Sequence, residues 1–463
     1  MMFHQFDLCV VGGGPAGYTG AIRAAQLGLK AALVTCEAPG GVCLHWGCIP
    51  TKTLLASAEA LRHVRRAGRF GVNVEGCVTI DYPAMLRRKD AVIAKLANGV
   101  ASLLKANQVA VFNGVGAFVS PAELAVGDGA DSITAKHFLL APGSVPIHPG
   151  RVPAHPRILD SSAMLALPEL PKRLAILGGG VIGCEFASLF ASLGVEVTLI
   201  EMLDTLLPQT DPDAVKLLTR RLKMEGVKIL TSTRLDTVTP GETEVRLKAG
   251  ELEITADYLL LAIGRKPNTA RLNLPAAGVS CDARGFIDVN ASFQTVQPHI
   301  YAVGDAVARY PMLAHYASAS ALAAVAHLAK NQPVDLLPGG IGCIFTNPEL
   351  ASAGLTEAEC EAAGLNFRVG KFPLAGLGKA LAMDETEGFI KVIADAATDR
   401  VLGIHAAGAH VSDIVGPLSP MIARGITSRE LGDTVWPHPT LAEGVMEALH
   451  ALHGECIHLV NRK

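Results

Sequence analysis

The chain has no long unbroken apolar run, no block of like charge, and no linker or low-complexity stretch. Each absence excludes something. Forty basic and 43 acidic side chains leave a formal net charge of -3, which gives no electrostatic reason to expect nucleic-acid binding. A mean hydropathy of +0.34 raises the question of a membrane. The most apolar region, Leu174 to Ile200, is broken by Glu185, Glu196 and glycines at strand–turn–helix spacing. It therefore reads as buried core, and no membrane association is expected. The opening Met1 to Asp7 lacks a basic n-region and runs straight into an apolar strand, so the expected location is the cytoplasm. The ten cysteines are scattered apart from Cys43 and Cys48. In a reducing compartment most are expected to be buried and inert, whereas a close pair is catalytic or metal-binding rather than structural.

What is present suits a multidomain α/β protein. A chain of 463 residues is too long for one ordinary domain. Half of it is hydrophobic and 47 residues are glycine, as large buried sheets joined by tight turns require.

Residues 7–37 read as a β-α-β unit. Asp7 to Val11 is an apolar strand, Gly12-Gly13-Gly14-Pro15-Ala16-Gly17 fits G-x-G-x-x-G, a helix runs from about Tyr18 to Gly28, and a second strand covers Ala31 to Thr35. Gly12, Gly14 and Gly17 allow a tight turn and bring backbone N–H groups close to a pyrophosphate at the helix N-terminus. The position that usually carries a ribose-binding acid falls near Thr35, and the nearest acid is Glu37, which takes the expected ribose contact. The pattern recurs 166 positions on: Leu174 to Leu177 leads into Gly178, Gly180 and Gly183, and the next strand, Val195 to Ile200, ends at Glu201. A carboxylate there accepts ribose hydroxyls and repels a 2′-phosphate, and no arginine lies between Glu201 and Gln209. NAD is therefore preferred over NADP. Two fingerprints in one chain point to two dinucleotides.

Between the fingerprints stands Gly40-Gly41-Val42-Cys43-Leu44-His45-Trp46-Gly47-Cys48-Ile49-Pro50-Thr51-Lys52. Thiol chemistry beside a nucleotide unit suggests dithiol–disulfide exchange coupled to a redox cofactor. A zinc site using Cys43, Cys48, His45 and His438 is chemically open, but the spacing matches no common zinc pattern, and no metal is expected. The helical stretches after it are Ser57 to Ala67 and Tyr82 to Ala106.

This stretch resembles the active-site signature of the flavin-dependent pyridine nucleotide–disulfide oxidoreductases. It is most similar to the branch that oxidises dihydrolipoamide. The resemblance continues through Phe138 to Ser144, with Pro142 in place of the usual small residue, and through Leu259 to Asn268. It extends to Thr295–Asp305, Pro311 to His315, and Trp436-Pro437-His438-Pro439-Thr440-Leu441-Ala442-Glu443. It implies FAD on the first fingerprint and NAD on the second. It implies an α/β fold of two Rossmann-like dinucleotide-binding domains plus a C-terminal α+β dimerisation domain. The expected divisions are 1–145 for FAD and the redox-active disulfide, 146–267 for NAD, 268–335 for a central segment completing the FAD site, and 336–463 for the interface.

The resemblance also assigns roles. Cys43 exchanges with substrate and Cys48 faces the flavin. His438 is the general acid/base, oriented by Glu443 and supplied by the opposite subunit of a homodimer. Lys52 contacts the flavin and pairs with Glu185. Gly143, Asp305, Met312, Leu313, Ala314 and His315 complete the FAD site, and Gly264 closes the NAD domain. The implied partners are lipoyl domains and E2-type cores of 2-oxoacid dehydrogenase complexes, or the glycine cleavage H protein. Among alternatives, a glutathione-reductase-like enzyme would favour NADP, which Glu201 opposes. A mercuric-reductase-like enzyme needs a C-terminal cysteine pair, and Cys456 stands alone. A soluble transhydrogenase would lack Cys43. A non-catalytic flavoprotein scaffold would not need Cys43, Cys48 and His438 together.

Overall fold

The structure is a computed structural model that describes residues 2–333, 336 and 340–460. The boundary expected between 335 and 336 falls at residue 335, outside the described residues. The chain divides into two compact units: Met1–Gly150 with Leu159–Leu170 and Ile263–Leu336, and Arg151–Ile158 with Pro171–Ala262 and Leu337–Lys463.

The first unit is built on a parallel sheet. Its strands lie in the order Ala110–Asn113, Ala31–Thr35, Met2–Val11, Asp131–Leu140, and Ile300–Ala302 also pairs in parallel with the last. Val10 stands opposite both Leu33 and Leu139. Successive side chains point to opposite faces, so Leu8, Val10, Leu33 and Leu139 share one core with the helices Pro15–Gln26 and Ala314–Lys330. Cys9, Val11, Val34, Phe138 and Leu140 fill the core on the other face. Burial on both faces is why these strands read as continuous apolar runs.

Two helix boundaries differ from expectation. The first helix begins at Pro15 rather than Tyr18, because proline needs no N–H at a helix start. The helix expected over 57–67 begins at Cys48 and runs to Arg66. Pro50 looks like a breaker, yet it lies in the first turn, where its missing donor costs nothing.

The second unit repeats the nucleotide fold. Lys228–Leu230, Glu196–Ile200, Arg173–Leu177 and Tyr258–Leu261 form a parallel sheet. An antiparallel sheet follows, in the order Gly342–Ile344, Glu349–Gly354, Val401–Gly408, Phe389–Asp395, Phe367–Pro373. The helix Glu443–Ala451 contributes Val445, Ala448 and Leu449 to the core of this C-terminal part. Among the described residues no helix is long and apolar enough to cross a membrane.

A buried ion cluster stitches the nucleotide fold to that second sheet. Lys391 Nζ donates to Asp211 Oδ2 at 2.8 Å and Glu357 Oε1 at 2.7 Å, and lies 2.8 Å from Asp213 Oδ2. Asp211 also caps the helix Pro212–Met224 through the N–H groups of Asp213 and Ala214. Burial opposes charging Lys391, but Asp211, Asp213 and Glu357 outweigh it and raise its pKa. Its contribution is therefore present below 10.5, the unperturbed value, and is lost as pH rises through the higher folded value. Hydrogen bonds from Lys371 and then Lys391 lower Asp213 from 3.8 to about 2, so its contribution is present above 3.8 and is lost as pH falls toward 2. Lys391→Met leaves Asp211 buried and uncompensated, an expected loss of about 3–5 kcal/mol near neutral pH. Thermal unfolding checks this: the gap to wild type should shrink below pH 3.8. Equal unfolding midpoints at neutral pH would refute it.

Candidate active site

The two phosphate loops are built alike. Gly17 and Gly183 permit the helix to close on its strand: a Cβ at either would lie 1.7 Å from Gly12 O or 1.9 Å from Gly178 O. At the helix N-termini the loops open outward. A Cβ at Gly14 would meet nothing nearer than 4.0 Å, and one at Gly180 meets nothing within 4 Å. That room, facing unsatisfied helix N–H groups, fits a pyrophosphate.

The ribose ends differ. Glu201 Oε2 accepts the Gly179 N–H at 2.6 Å and Oε1 accepts the Leu203 N–H at 2.8 Å. A carboxylate has lone pairs beyond these two for ribose hydroxyls. The position 166 residues earlier is Thr35, whose hydroxyl donates to Glu37 O at 2.9 Å and accepts the Glu37 N–H at 3.4 Å. Thr35 thus reproduces the turn bond of Glu201 without its charge, and the exposed Glu37 is the nearest carboxylate.

The cysteine stretch sits directly on the first loop. The Gly40 N–H donates to Gly13 O at 2.8 Å. Gly41 has φ +60°, and a Cβ there would lie 2.5 Å from Gly14 Cα, so only glycine admits this contact. A short helix, Gly41–Trp46, carries Cys43, and the 19-residue helix Cys48–Arg66 starts at its partner. Cys43 and Cys48 form a disulfide with Cα atoms 4.6 Å apart. At the first position of a long helix, Cys48 lies where N–H groups and the helix dipole favour a thiolate. His45 lies 3.2 Å through Nε2 from Pro39 O, which closes the loop on itself. Lys52 follows one turn after Cys48 on the same helix.

A polar network lies at the end of the same sheet. Asp305, in the turn after Ile300–Ala302, accepts the Ser144 hydroxyl at 2.5 Å through Oδ2. Arg265 binds Ser144 twice, Nε to Oγ at 2.8 Å and Nη2 to O at 2.6 Å. Burial raises the pKa of Asp305 despite Ser144 and Arg265, and Oδ1 keeps acceptor capacity for a ligand hydroxyl. Ser144 and Arg265 lie within the resembling stretches Phe138 to Ser144 and Leu259 to Asn268 but are given no role there. Their signal is adjacency: Ser144 follows Gly143 and Arg265 follows Gly264. Gly143 O accepts the Asn268 N–H at 2.9 Å and Gly264 O the Ile147 N–H at 3.0 Å. Met312 and Leu313 precede the helix Ala314–Lys330, whose second residue is the exposed His315.

In the second unit, Glu185 is buried on the helix Val181–Ser192 and accepts the Phe345 N–H at 2.9 Å. His438 and Glu443 meet there as well: Nδ1 lies 2.8 Å from Glu443 Oε1, and Oε2 accepts the Thr440 N–H at 2.8 Å. A carboxylate only accepts, so Nδ1 carries the proton and Nε2 presents its lone pair. The imidazole is 76% exposed. Burial opposes ionising Glu443, but the Thr440 N–H and the His438 ring outweigh it and lower its pKa.

A disulfide at a helix start, pressed on one of two dinucleotide loops, defines a nucleotide-linked dithiol–disulfide oxidoreductase. The chain belongs to the pyridine nucleotide–disulphide oxidoreductase family: residues 6–321 match it and residues 341–449 match its dimerisation domain. That domain makes a homodimer the assembly. The chain is 42% identical to dihydrolipoyl dehydrogenase of Thermus scotoductus over 465 residues, 99% of each chain. It is 40% identical to a dihydrolipoyl dehydrogenase of Bacillus subtilis over 476 residues, 99% of this chain and 100% of that one. Among solved structures, LpdA of Mycobacterium tuberculosis matches with TM-score 0.89 and 27% identity, covering 97% of this chain and 99% of that one. The HOCl-induced flavoprotein disulfide reductase RclA of Escherichia coli matches with TM-score 0.86 and 27% identity, covering 96% and 99%.

Proposed function

We propose that the protein oxidises the dihydrolipoamide arms of lipoyl-bearing proteins with NAD, using FAD and the Cys43–Cys48 disulfide. It would serve as the E3 component of a 2-oxoacid dehydrogenase or glycine cleavage complex. The observation that carries this reading is the disulfide seated on the first phosphate loop with Cys48 at a helix start. Full-length similarity to dihydrolipoyl dehydrogenases supports the substrate.

FAD would be held by Gly12, Gly14, Gly17, Glu37, Lys52, Gly143, Asp305 and the 312–315 turn. NAD would be held by Gly178, Gly180, Gly183, Glu201 and Gly264. Bound FAD would supply two-electron redox chemistry, linking the dithiol to hydride transfer with NAD. The chain's own residues do the thiol chemistry. His438 Nε2, on one subunit, takes the proton of a substrate thiol near the other subunit's disulfide. The new thiolate attacks Cys43 Sγ; the Cys43–Cys48 bond breaks and Cys48 leaves as a thiolate. The second substrate thiol attacks the first substrate sulfur, the substrate departs as a disulfide, and Cys43 is released. Of the two substrate protons, one ends on Cys43 and one on His438. Cys48 stays anionic at the helix N-terminus.

The test is NADH formation by the FAD-loaded homodimer given dihydrolipoamide and NAD. Turnover is expected with NAD and at least tenfold less with NADP, because the Glu201 carboxylate would repel a 2′-phosphate. Absence of turnover with flavin bound and the dimer intact would remove the lipoamide assignment and leave a disulfide reductase for another substrate.

A further inference from the structure

The helix that begins at Glu443 carries a second carboxylate. Glu447 lies one turn further along the same face and is 2% exposed. It gathers the end of the chain: Oε1 lies 2.6 Å from His458 Nδ1, and Oε2 accepts the Cys456 thiol at 2.9 Å and the His458 N–H at 3.4 Å. Burial alone would raise the Glu447 pKa, but the Cys456 thiol and His458 overcome it and hold it below the ordinary glutamate value. Burial and then Glu447 push the Cys456 thiol up to about 12. Cys456 is thus a donor to the carboxylate and not a nucleophile.

His458 also acts one turn back. After burial, the Thr440 N–H and His438, its charge is among the influences on Glu443. Two histidine–glutamate pairs therefore sit on successive turns of one helix, Glu443 with His438 and Glu447 with His458. The neighbours of the second pair are exposed: Ile457 and Val460 are 78% and 87% accessible. Cys456 anchors this segment in the C-terminal core and Glu455 pairs with Arg429, while Glu447 ties it to the helix Glu443–Ala451.

We propose that residues 455–460 form a strap, fastened by Glu447 to Cys456 and His458, that fixes the helix Glu443–Ala451 so that Glu443 holds His438. Glu447 and His458 are then positioning residues for proton transfer. This rests on the reading of His438 as the base. The titratable groups facing the strap are Glu447, Cys456, Glu443 and His438. The other charged groups around the helix are paired: His450 with Asp433, Glu455 with Arg429, His453 and Arg368 with Asp399, and Lys371 with Asp213.

The signs follow from charge. His458→Gln removes the ring charge beside Glu447, leaving the carboxylate with only the Cys456 thiol and a backbone N–H, which favours the protonated His438 ring. The acid limb of the turnover–pH profile moves up. Glu447→Gln removes the negative charge, and the limb moves down. Each shift is expected to be about half a pH unit. Turnover of dihydrolipoamide falls about tenfold in each variant through misplacement of the base. The KM for NAD and the NADH-dependent reduction of an artificial electron-accepting dye, which bypasses the thiol proton transfer, stay at wild-type values.

The experiment measures kcat against pH and dye reduction for the holoenzyme dimer and for H458Q, E447Q and H438Q. H458Q changes an exposed side chain and so keeps the test open if E447Q does not fold. An unmoved acid limb in H458Q overturns the proposal, as does a parallel loss of dye reduction, which would mark a purely structural role. If H438Q itself keeps full turnover, the base assignment fails instead, and the two failures are told apart.

Discussion

Cys48→Ser is expected to lower dihydrolipoamide oxidation on the order of a thousandfold or more, while flavin remains bound. The reason lies in the exchange chemistry. Attack on a disulfide needs a leaving thiolate, and Cys48 is placed to leave because it opens the 19-residue helix Cys48–Arg66. A serine there offers no bond to break and no sulfur to carry the electron pair. Cys43 is then a lone thiol with no S–S bond for the substrate dithiol to attack, so exchange does not begin. NADH-dependent dye reduction requires neither cysteine and should survive. The check is steady-state NADH formation beside that control. A variant that still turns over dihydrolipoamide at an appreciable rate would remove the disulfide from the mechanism and revive the scaffold reading.

Cys43→Ser is expected to be equally inactive, yet the two variants separate in their remaining thiol. Cys48 at the helix start should stay reactive toward thiol reagents at lower pH than Cys43, whose six-residue helix gives it no comparable field.

What the residue order discloses about this molecule is mostly local. The fingerprint Gly12–Gly17 and its repeat at Gly178–Gly183 are visible because a close strand–helix approach demands glycine at fixed offsets. Continuous apolar strands are visible because both faces of a parallel sheet are buried. The helix start at Cys48 was hidden by Pro50, since a proline's effect depends on which turn it occupies. Contacts across long separations leave no periodic trace. Ser144 meets Asp305 across 161 positions and Arg265 across 121. Lys391 meets Asp211 across 180. Each pairing depends on how sheets assemble, which composition and spacing do not encode. Even the second histidine–glutamate pair, Glu447 with His458, is separated by only 11 positions but needs the chain to reverse after the helix. The internal repeat is the exception, because it lets one half of the chain be read against the other: Thr35 stands where Glu201 stands, so the missing carboxylate at that one position is visible in both sequence and structure.

His438→Gln is expected to reduce dihydrolipoamide turnover by roughly 10²–10⁴-fold and to flatten the acid limb of its pH profile. Glutamine can still donate to Glu443, so the local fold is preserved, but it offers no basic nitrogen. The proton of the substrate thiol then has no acceptor at the site, and only the small thiolate fraction already present in solution reacts. Glu443→Gln separates orientation from basicity. The amide can accept from Nδ1–H or turn its own N–H toward the ring, so the tautomer is no longer enforced and turnover should fall about tenfold with the acid limb retained but displaced downward. The order of effects, His438→Gln well above Glu443→Gln, follows from the proposed roles: the ring's Nε2 would meet substrate, whereas Glu443 acts only through Nδ1 at 2.8 Å. Turnover–pH profiles of both variants, with dye reduction as the control, decide it. Equal losses in the two would mean that the pair serves as a structural clasp at the end of the chain, and the proton would have to be taken by another group near Cys43.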